Sequence, residues 1–292
     1  MENVLAIVVG LGSALVYGVA DFFGGLASKR TAPVFVTAFA AIIGLLTMLP
    51  FAFVVPAEIT VDAFLWGGLS GITGAAAILL LYAALAIGPM SILSPLTAVL
   101  SALVPMTWGL VTGERLPWWG YVALGAILVA IVLVGFVPEK GAVRPRPRGI
   151  LYAVGSGVLI GAFFILVDRA PDDSGLFPLI ANRSVSGAIL LVVILVLALL
   201  ARRRGEPAAP GLRGAIPLII ACGIADAAAN VLILVGLRMG DLTVMSVLAA
   251  LYPAGTIALA AIVLRERIAP VQWAGLVLAL VAAAILAIPA AT

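Results

Sequence analysis

Long apolar runs separated by short polar breaks dominate the chain. Ten of these runs approach the roughly 20 residues that an α-helix needs to cross the hydrocarbon core of a bilayer. Glycine and proline within several runs are compatible with membrane helices, because neighbouring helices satisfy the freed backbone groups. The pattern predicts an all-α integral membrane protein with ten transmembrane helices, at about 4–27, 34–54, 64–87, 90–112, 117–137, 149–167, 177–200, 214–236, 243–264 and 270–289.

The pattern also repeats within the chain. Residues 84–122 align without gaps on residues 236–274, at an offset of 152. This alignment places Glu114–Arg115, at the end of the fourth run, on Glu266–Arg267, at the end of the ninth. Two Glu–Arg pairs at matching helix ends favour a true duplication over a chance likeness between apolar helices.

Upstream of this region the offset becomes 143, where GSALVYG at 12–18 lies over GSGVLIG at 155–161. The chain is therefore predicted to consist of two five-helix repeats, 1–137 and 149–292, joined by a basic linker at 138–148. Because five is odd, the second repeat enters the membrane upside down. Inverted repeats are typical of transporters, which place the binding site near the bilayer midplane where the repeats meet.

Composition supports lipid as the solvent. Hydrophobic residues make up 64% of the chain, charged residues 10%, and the mean hydropathy is +1.30. The basic residues lie in short loops rather than on one stripe, which disfavours a nucleic-acid partner. The chain has no histidine and one cysteine, Cys222, so disulfides within the chain and cysteine-rich metal sites are excluded. We expect no metal and no cofactor.

The distribution of basic residues predicts the orientation. The loops after predicted helices 1, 3, 5, 7 and 9 contain twelve Lys and Arg, and the opposite side contains three. Because cytoplasmic loops carry the excess of basic residues, both termini are expected outside the cell, with the protein in the plasma membrane.

These features resemble the drug/metabolite transporter superfamily, specifically its ten-helix type with two EamA-like repeats. The resemblance covers nearly the whole chain. Its most specific part is the Glu–Arg boundary in each repeat, followed by Gly120–Tyr121 in one and Gln272–Trp273 in the other. Arg183 also resembles an arginine that such repeats carry in their second helix, although Ala40 occupies the equivalent place in the first repeat. The resemblance implies movement of small metabolites, often export of amino acids, their relatives or drugs.

Two acidic residues lie within predicted membrane helices. They are the first candidates for a functional site, because charges inside a membrane are costly and usually functional. Asp226 lies near the middle of the eighth helix, and Asn230 follows on the same face. Asp226 is either a substrate contact or proton acceptor, or a structural carboxylate hydrogen-bonded to Asn230 or to a neighbouring helix. Asp21 lies in the first helix. The small multidrug-resistance transporters, relatives of the superfamily, are similar there, which implies proton exchange; the alternative is an interfacial acid paired with Lys29 or Arg30.

Aromatic and small polar residues complete the predicted substrate site. Aromatic faces and carboxylates together suit an organic cation or an amine-bearing substrate. The alternative for each aromatic residue is a lipid-facing or packing role. The residues assigned to the site besides the acids and Asn230 are Tyr17, Tyr82, Phe163, Tyr252, Ser94 and Ser101.

Other polar residues are predicted to have structural roles. Glu114, Arg115, Glu266 and Arg267 suit ion pairs or caps at helix ends. Arg183 could bind a carboxylate, but an ion pair with an acid at 168–173 is the favoured interpretation. Gly67 and Gly71 have the spacing that lets helices pack closely.

The sequence therefore predicts a secondary active transporter, not an enzyme. It is expected to export a small metabolite or drug, amine-bearing or cationic such as an amino acid or organic cation, by alternating access with protons as the coupling ion. The alternative is an importer or facilitator of a small amine or quaternary ammonium compound. A membrane enzyme would need clustered acids, histidine or cysteine, and the chain offers only Asp172–Asp173. The expected partners are the substrate and the lipid bilayer, with the protein a monomer or homodimer.

Overall fold

The structure is a computed structural model that describes residues 2–52, 54–87, 90–135, 146–204, 214–263, 265 and 269–288. All regular secondary structure in these ranges is helical, so the predicted all-α fold is confirmed. A 3₁₀ turn at Asp172–Ser174 accompanies the α-helices, which are α1 (Glu2–Ser28), α2 (Pro33–Ala52), α3 (Val61–Ile87), α4 (Met90–Thr112), α5 (Trp118–Gly135), α6 (Pro147–Asp168), α7 (Phe177–Arg203), α8 (Ile216–Met239), α9 (Leu242–Ala249), α10 (Tyr252–Val263) and α11 (Pro270–Leu286).

The helices account for the predicted membrane spans. Within the described ranges, nine segments are long and apolar enough to cross a bilayer, and α11 is a further apolar helix of 17 residues. One of the nine, Leu242–Val263, is built from α9 and α10 together. The ten apolar runs of the sequence thus correspond to ten apolar helical segments.

The ninth predicted helix is interrupted, which differs from the single helix expected at 243–264. Proline has no backbone N–H, and its ring clashes with the carbonyl four residues earlier. For Pro253 that carbonyl belongs to Ala249, the last residue of α9. The chain crosses the break through a bond from Leu251 N–H to the Leu248 carbonyl (3.1 Å) and resumes as α10 at Tyr252.

Most of the helix packing joins one repeat to the other. The first repeat's α1 packs on α8 and its α3 packs on α6, and these two pairs are equivalent when the repeats are exchanged. In the same way, the α1–α10 pair is equivalent to α4–α6, and the α3–α7 pair is equivalent to α2–α8. The α2–α7 and α5–α11 pairs join equivalent helices. Exchanging the two repeats leaves this set of pairs unchanged, as expected for inverted repeats related by a two-fold axis in the membrane plane.

Glycines allow the closest of these crossings. Gly18 of α1 faces Gly255 of α10, and a Cβ added to Gly18 would lie 2.5 Å from the Gly255 Cα. The hydroxyl of Thr256 donates to the Gly18 carbonyl across this contact (3.2 Å). Gly67 and Gly71 of α3 have the same role against α7, because side chains there would collide with its backbone. Small residues thus bring the helices of the two repeats into backbone contact.

One position after the fourth helix has a positive φ in both repeats. Gly113 has a φ of 116°, and Arg265, 152 positions later, has a φ of 56°. Both values lie in the region that favours glycine. The duplication therefore preserved a positive φ even where the residue itself changed.

Candidate substrate site

A cavity of about 170 Å³ lies between the two repeats. Its wall includes residues of α1–α4 from the first repeat and of α6–α8 and α10 from the second, so neither repeat forms it alone. The polar lining residues are Tyr17, Asp21, Thr37, Ser101, Asn182, Arg183, Ser186, Asp226, Asn230 and Tyr252. Apolar side chains, among them Ile78, Leu81, Ile160, Phe163, Phe164 and Leu190, form much of the remaining wall.

An ion pair crosses one part of the cavity. The Arg183 Nη2 atom of α7 lies 2.6 Å from the Asp226 Oδ2 atom of α8. The amide nitrogen of Asn230 donates to the Asp226 backbone carbonyl (2.7 Å) and to its Oδ1 atom (3.3 Å). The shared helical face predicted for Asp226 and Asn230 is therefore present, and the carboxylate has both an amide and a guanidinium partner.

This ion pair differs from the favoured sequence interpretation, which placed Arg183 with an acid at 168–173. Arg183 lies against α2 where glycine leaves room: a Cβ added to Gly44 would lie 3.8 Å from the Arg183 Cδ atom and 3.4 Å from the Gly223 carbonyl of α8. The Arg183 side chain thus extends past the close contact between Gly44 and Gly223 and reaches Asp226. The arginine that fixes the 3₁₀ turn is Arg238, which donates to the Gly175 carbonyl (2.9 Å) and the Ser174 hydroxyl (3.2 Å).

Asp21 lies in the same cavity without a basic partner. Its side chain is exposed there, and among the described residues no Lys or Arg nitrogen lies within 4.0 Å of its carboxylate. The alternative pairing with Lys29 or Arg30 is absent. Arg30 instead donates to the Gly214 carbonyl (2.6 Å) at the start of the α8 region, and Lys29 is exposed. A carboxylate that faces a cavity without a cation is available to a ligand.

Three buried polar atoms at the cavity have no hydrogen-bond partner among the described residues. They are the Tyr17 hydroxyl, the Arg183 Nε atom and the Asn230 Oδ1 atom. Asn230 is only 1% exposed. Since buried polar atoms in proteins almost always have a partner, these atoms indicate where a bound molecule or ordered water would lie.

The cavity also collects several of the predicted aromatic and hydroxyl residues. Tyr17, Phe163 and Tyr252 line it, and the Phe163 ring packs edge-on against the Phe164 ring with centroids 5.3 Å apart. Ser101 lines it too, although its hydroxyl donates to the Ala98 carbonyl of its own helix (2.8 Å). The predicted residues whose side chains lie outside the described residues are Tyr82 and Ser94.

The residues that sequence reasoning missed lie mainly on α7. Asn182 donates to the Ser70 hydroxyl of α3 (2.8 Å), and the Ser186 hydroxyl donates to the Gly71 carbonyl (3.0 Å). Asn182 and Ser186 are four residues apart and lie on one helical face beside Arg183. This polar face in an otherwise apolar helix was the available signal.

Glu114 and Arg115 were predicted to form an ion pair or helix caps, and the Glu114 carboxylate caps a helix of the other repeat rather than pairing with Arg115. Glu114 accepts hydrogen bonds from the backbone N–H groups of Leu242 (2.9 Å) and Thr243 (3.0 Å), at the start of α9. Unpaired N–H groups and a partial positive charge make a helix N-terminus attractive to a carboxylate. Arg115 donates instead to the Leu110 and Glu114 carbonyls, both at 3.3 Å. The equivalent Glu266 and Arg267 lie outside the described residues.

Comparison with known proteins agrees with this architecture. A solved structure titled "Crystal structure of protein" superposes with a TM-score of 0.71 over 96% of this chain and 97% of its own, at 19% identity, a likeness that shows the fold alone. No curated protein matches the chain. The model of the EamA-like transporter family matches twice, at residues 4–136 and 147–288. The chain therefore belongs to the EamA-like transporter family of the drug/metabolite transporter superfamily, whose members are multi-pass membrane transporters.

Proposed function

We propose that this transporter is secondary active and exports a small amine-bearing or cationic metabolite or drug across the plasma membrane, by alternating access coupled to protons. The observation that carries this proposal is the exposed carboxylate of Asp21 in the cavity between the repeats, with no basic partner among the described residues.

The surroundings of Asp21 suit an organic cation. Tyr17 lies one helical turn before it, and Tyr252 and Phe163 line the same cavity. Aromatic rings attract ammonium groups through their faces, and this attraction increases when the cation leaves water. A carboxylate in such a cavity attracts a cation more strongly than it would in bulk water, because the effective dielectric constant is lower. Together these groups support a site for a single positive charge.

The same carboxylate supports coupling to protons. Asp21 is neutralised either by a proton or by the cationic substrate, so the two compete for one site. Proton binding from outside would release the cation, and proton release inside would free the carboxylate to bind the next one. Export would then draw on the proton gradient. Asp226 is less suited to this exchange because Arg183 already compensates its charge.

Alternating access finds support in the packing between repeats. Glycine contacts such as Gly18 on Gly255 allow helices to shift past each other with few interlocking side chains. The break before Pro253 lies at the cavity wall, where Ala249, Ala250 and Tyr252 are lining residues. A change of angle between α9 and α10 would therefore move the wall directly.

The test is proton movement in proteoliposomes that contain a pH-sensitive dye. Amines, amino acids and quaternary ammonium compounds are added in turn across an imposed pH gradient. We expect at least one of them to discharge the gradient with the wild-type protein, and Asp21→Asn to abolish that response. Asp62→Asn, which removes an exposed carboxylate at the start of α3, is the matched control. Unchanged discharge by Asp21→Asn would disprove the proposed coupling.

A further inference from the structure

A second cavity, of about 210 Å³, lies between α6 and α8. It is called the α6–α8 cavity below, and the cavity that contains Asp21 is called the central cavity. The α6–α8 cavity has a polar part and an apolar part. The polar part is formed by Asp168, Asp172 and Arg238, and the apolar part includes Val167 and Leu234.

The α6–α8 cavity lies at the end of the bundle opposite Lys29 and Arg30. The start of α8 lies beside Arg30, whose guanidinium donates to the Gly214 carbonyl (2.6 Å). The other end of α8 carries Arg238, which donates to the Gly175 carbonyl (2.9 Å) in the segment between α6 and α7. The α6–α8 cavity is thus on the side of the membrane where α6 and α8 end.

An apolar barrier separates the two cavities. On α8, Asn230 lines the central cavity and Leu234, four residues later, lines the α6–α8 cavity. On α6, Phe164 lines the central cavity and Val167 lines the other. These spacings correspond to about one helical turn, roughly 5 Å along each axis. Phe164, Val167 and Leu234 are 5%, 1% and 2% exposed and belong to the same apolar core cluster.

The repeat relates this closed barrier to the open part of the central cavity. The offset of 143, which places residues 12–18 on 155–161, also places Asp21 on Phe164. Asp21 is exposed in the central cavity, whereas Phe164 is almost completely buried. Equivalent positions are therefore open in the first repeat and closed in the second. Inverted repeats alternate access by moving against each other around a fixed site, so the opposite state would open the second repeat at Phe164.

The packing around the barrier is suited to such an opening. The contact between α6 and α8 is weak, whereas α6 packs closely on α3 and α4, and α8 packs closely on α1 and α2. A separation of α6 from α8 would therefore break few contacts between helices. An apolar constriction excludes water and charged solutes until it widens.

We infer that Phe164 and Leu234 form a gate of the transport pathway, and that the α6–α8 cavity is the vestibule on the far side of this gate. In the present state the gate is closed and the central cavity is reached from the Lys29 side. When α6 and α8 separate, the central cavity joins the vestibule and is reached from the Asp168 side. This inference rests on the alternating access of the proposed function and names its gate.

The test measures how fast a charged, membrane-impermeant maleimide modifies a single cysteine in the full-length protein. Native Cys222 is first replaced by serine. Intact cells expose one side of the membrane to the reagent, and inside-out vesicles expose the other. Asp62→Cys and Lys29→Cys, at exposed residues of opposite ends, identify the side that the reagent reaches. Ile78→Cys, in the wall of the central cavity, reports access to that cavity.

Weakening the gate should open the central cavity from one side only. Phe164→Ala/Leu234→Ala removes both gate side chains and so destabilises the closed position. We expect this pair to raise the modification rate of Ile78→Cys at least about 10-fold from the Asp62 side. The rate from the Lys29 side should stay the same.

The control pair is Phe22→Ala/Leu124→Ala. It removes side chains of the same two types, with the same exposed fractions of 5% and 2%, but from α1 and α5. It should leave the rate of Ile78→Cys unchanged from either side. An equal increase in the control pair would show general loosening of the protein and would overturn the gate.

Two further variants keep the test decisive if the double substitution folds poorly. Leu234→Ala alone should raise the modification rate of Ile78→Cys from the Asp62 side, by a smaller factor. Asp168→Cys leaves the gate intact and should react from the Asp62 side alone. Reaction of Asp168→Cys from the Lys29 side would overturn the place of the vestibule.

The failures of the two proposals are distinguishable, because cysteine modification needs neither a substrate nor a proton gradient. If no amine discharges the gradient, the proposed function fails whatever the modification rates are. If weakening Phe164 and Leu234 gives no increase from the Asp62 side, or an equal increase from both sides, the gate is overturned. Coupling through Asp21 then still stands on its own test.

Discussion

The carboxylate of Glu114 accepts a hydrogen bond of 3.0 Å from the backbone N–H of Thr243. Glu114 follows α4 in the first repeat, and Thr243 lies in the first turn of α9 in the second. Gly109 makes room for this contact, because a Cβ there would collide with the Glu114 carboxylate and lie 2.5 Å from the Thr243 hydroxyl. The Glu114 side chain thus connects the two repeats on the side of the membrane where α4 ends and α9 begins.

Replacing this carboxylate should weaken the connection. Glu114→Gln removes the negative charge and leaves one acceptor oxygen for two N–H donors. We expect the free energy of unfolding to fall by about 1–2 kcal/mol, the upper range for loss of a helix N-cap. Thermal unfolding of the detergent-solubilised protein measures the change. Glu58→Gln, at an exposed glutamate before α3, is the control; equal losses in both variants would contradict the capping role.

The contact between α1 and α10 should not tolerate a methyl group. Gly18→Ala would place a Cβ 2.5 Å from the Gly255 Cα and 2.6 Å from the Tyr252 carbonyl, so the helices must separate. Overpacking of this kind costs about 1–3 kcal/mol. We expect a lower melting temperature and impaired transport.

The control for this substitution lies on the same helix. Gly25 is exposed, and an added Cβ would meet nothing within 4 Å. Gly25→Ala should therefore leave transport intact and stabilise α1 by up to about 1 kcal/mol. A Gly18→Ala protein as stable and active as Gly25→Ala would show that the α1–α10 contact is looser than described.

Gly113 should be sensitive to alanine for a conformational reason alone. An added Cβ would meet nothing within 4 Å, but the φ of 116° is unfavourable for an L-residue. We expect Gly113→Ala to destabilise the protein by at least about 1 kcal/mol. Gly125→Ala, also in open space but inside α5, should stabilise it by a similar amount. Thermal unfolding of both variants checks the opposite signs, and a loss of the same size in both would refute the explanation.

Pro253 should matter more for transport than for stability. Pro253→Ala restores the N–H that can bond to the Ala249 carbonyl and removes the ring that clashes with it, so α9 and α10 can join. We expect slower flux in proteoliposomes with unchanged or higher thermal stability. Pro270→Ala at the first turn of α11 is the control, because proline is tolerated there and its loss should leave flux unchanged. Flux by Pro253→Ala equal to the wild type would argue against a moving joint at this position.

The sequence predicted those features that depend on local pattern. The length of each apolar run predicted the position of a helix, because a helix must have a minimum length to cross a bilayer. The duplicated Glu–Arg pairs exposed the repeat even though Glu266 and Arg267 lie outside the described residues. The acids in α1 and α8 stood out because charges are rare in membrane helices, and the structure brings both to one cavity.

The remaining features depend on which helices cross and at what depth. Arg183 meets Asp226 because α7, α2 and α8 meet around small residues, a relationship that no spacing along the chain reveals. Glu114 binds residues more than a hundred positions away rather than its neighbour Arg115. The sequence also did not show which prolines interrupt a helix. Pro95 and Pro105 lie inside an unbroken α4, whereas Pro253 follows the end of α9. Tertiary packing decides each of these outcomes.

The dominance of contacts between repeats has a consequence for biosynthesis. When the ribosome has completed α5, the main packing partners of α1 and α3 have not yet been made, since α1 packs on α8 and α10 and α3 on α6 and α7. The first five helices are therefore inserted into the lipid before their main packing partners exist. Hydrogen bonds within each helix satisfy its backbone groups during this interval. The wall that carries Asp21 gains its opposing face only when α8 is inserted. The newly synthesised chain thus becomes a permeation pathway late, after most of it already lies in the membrane.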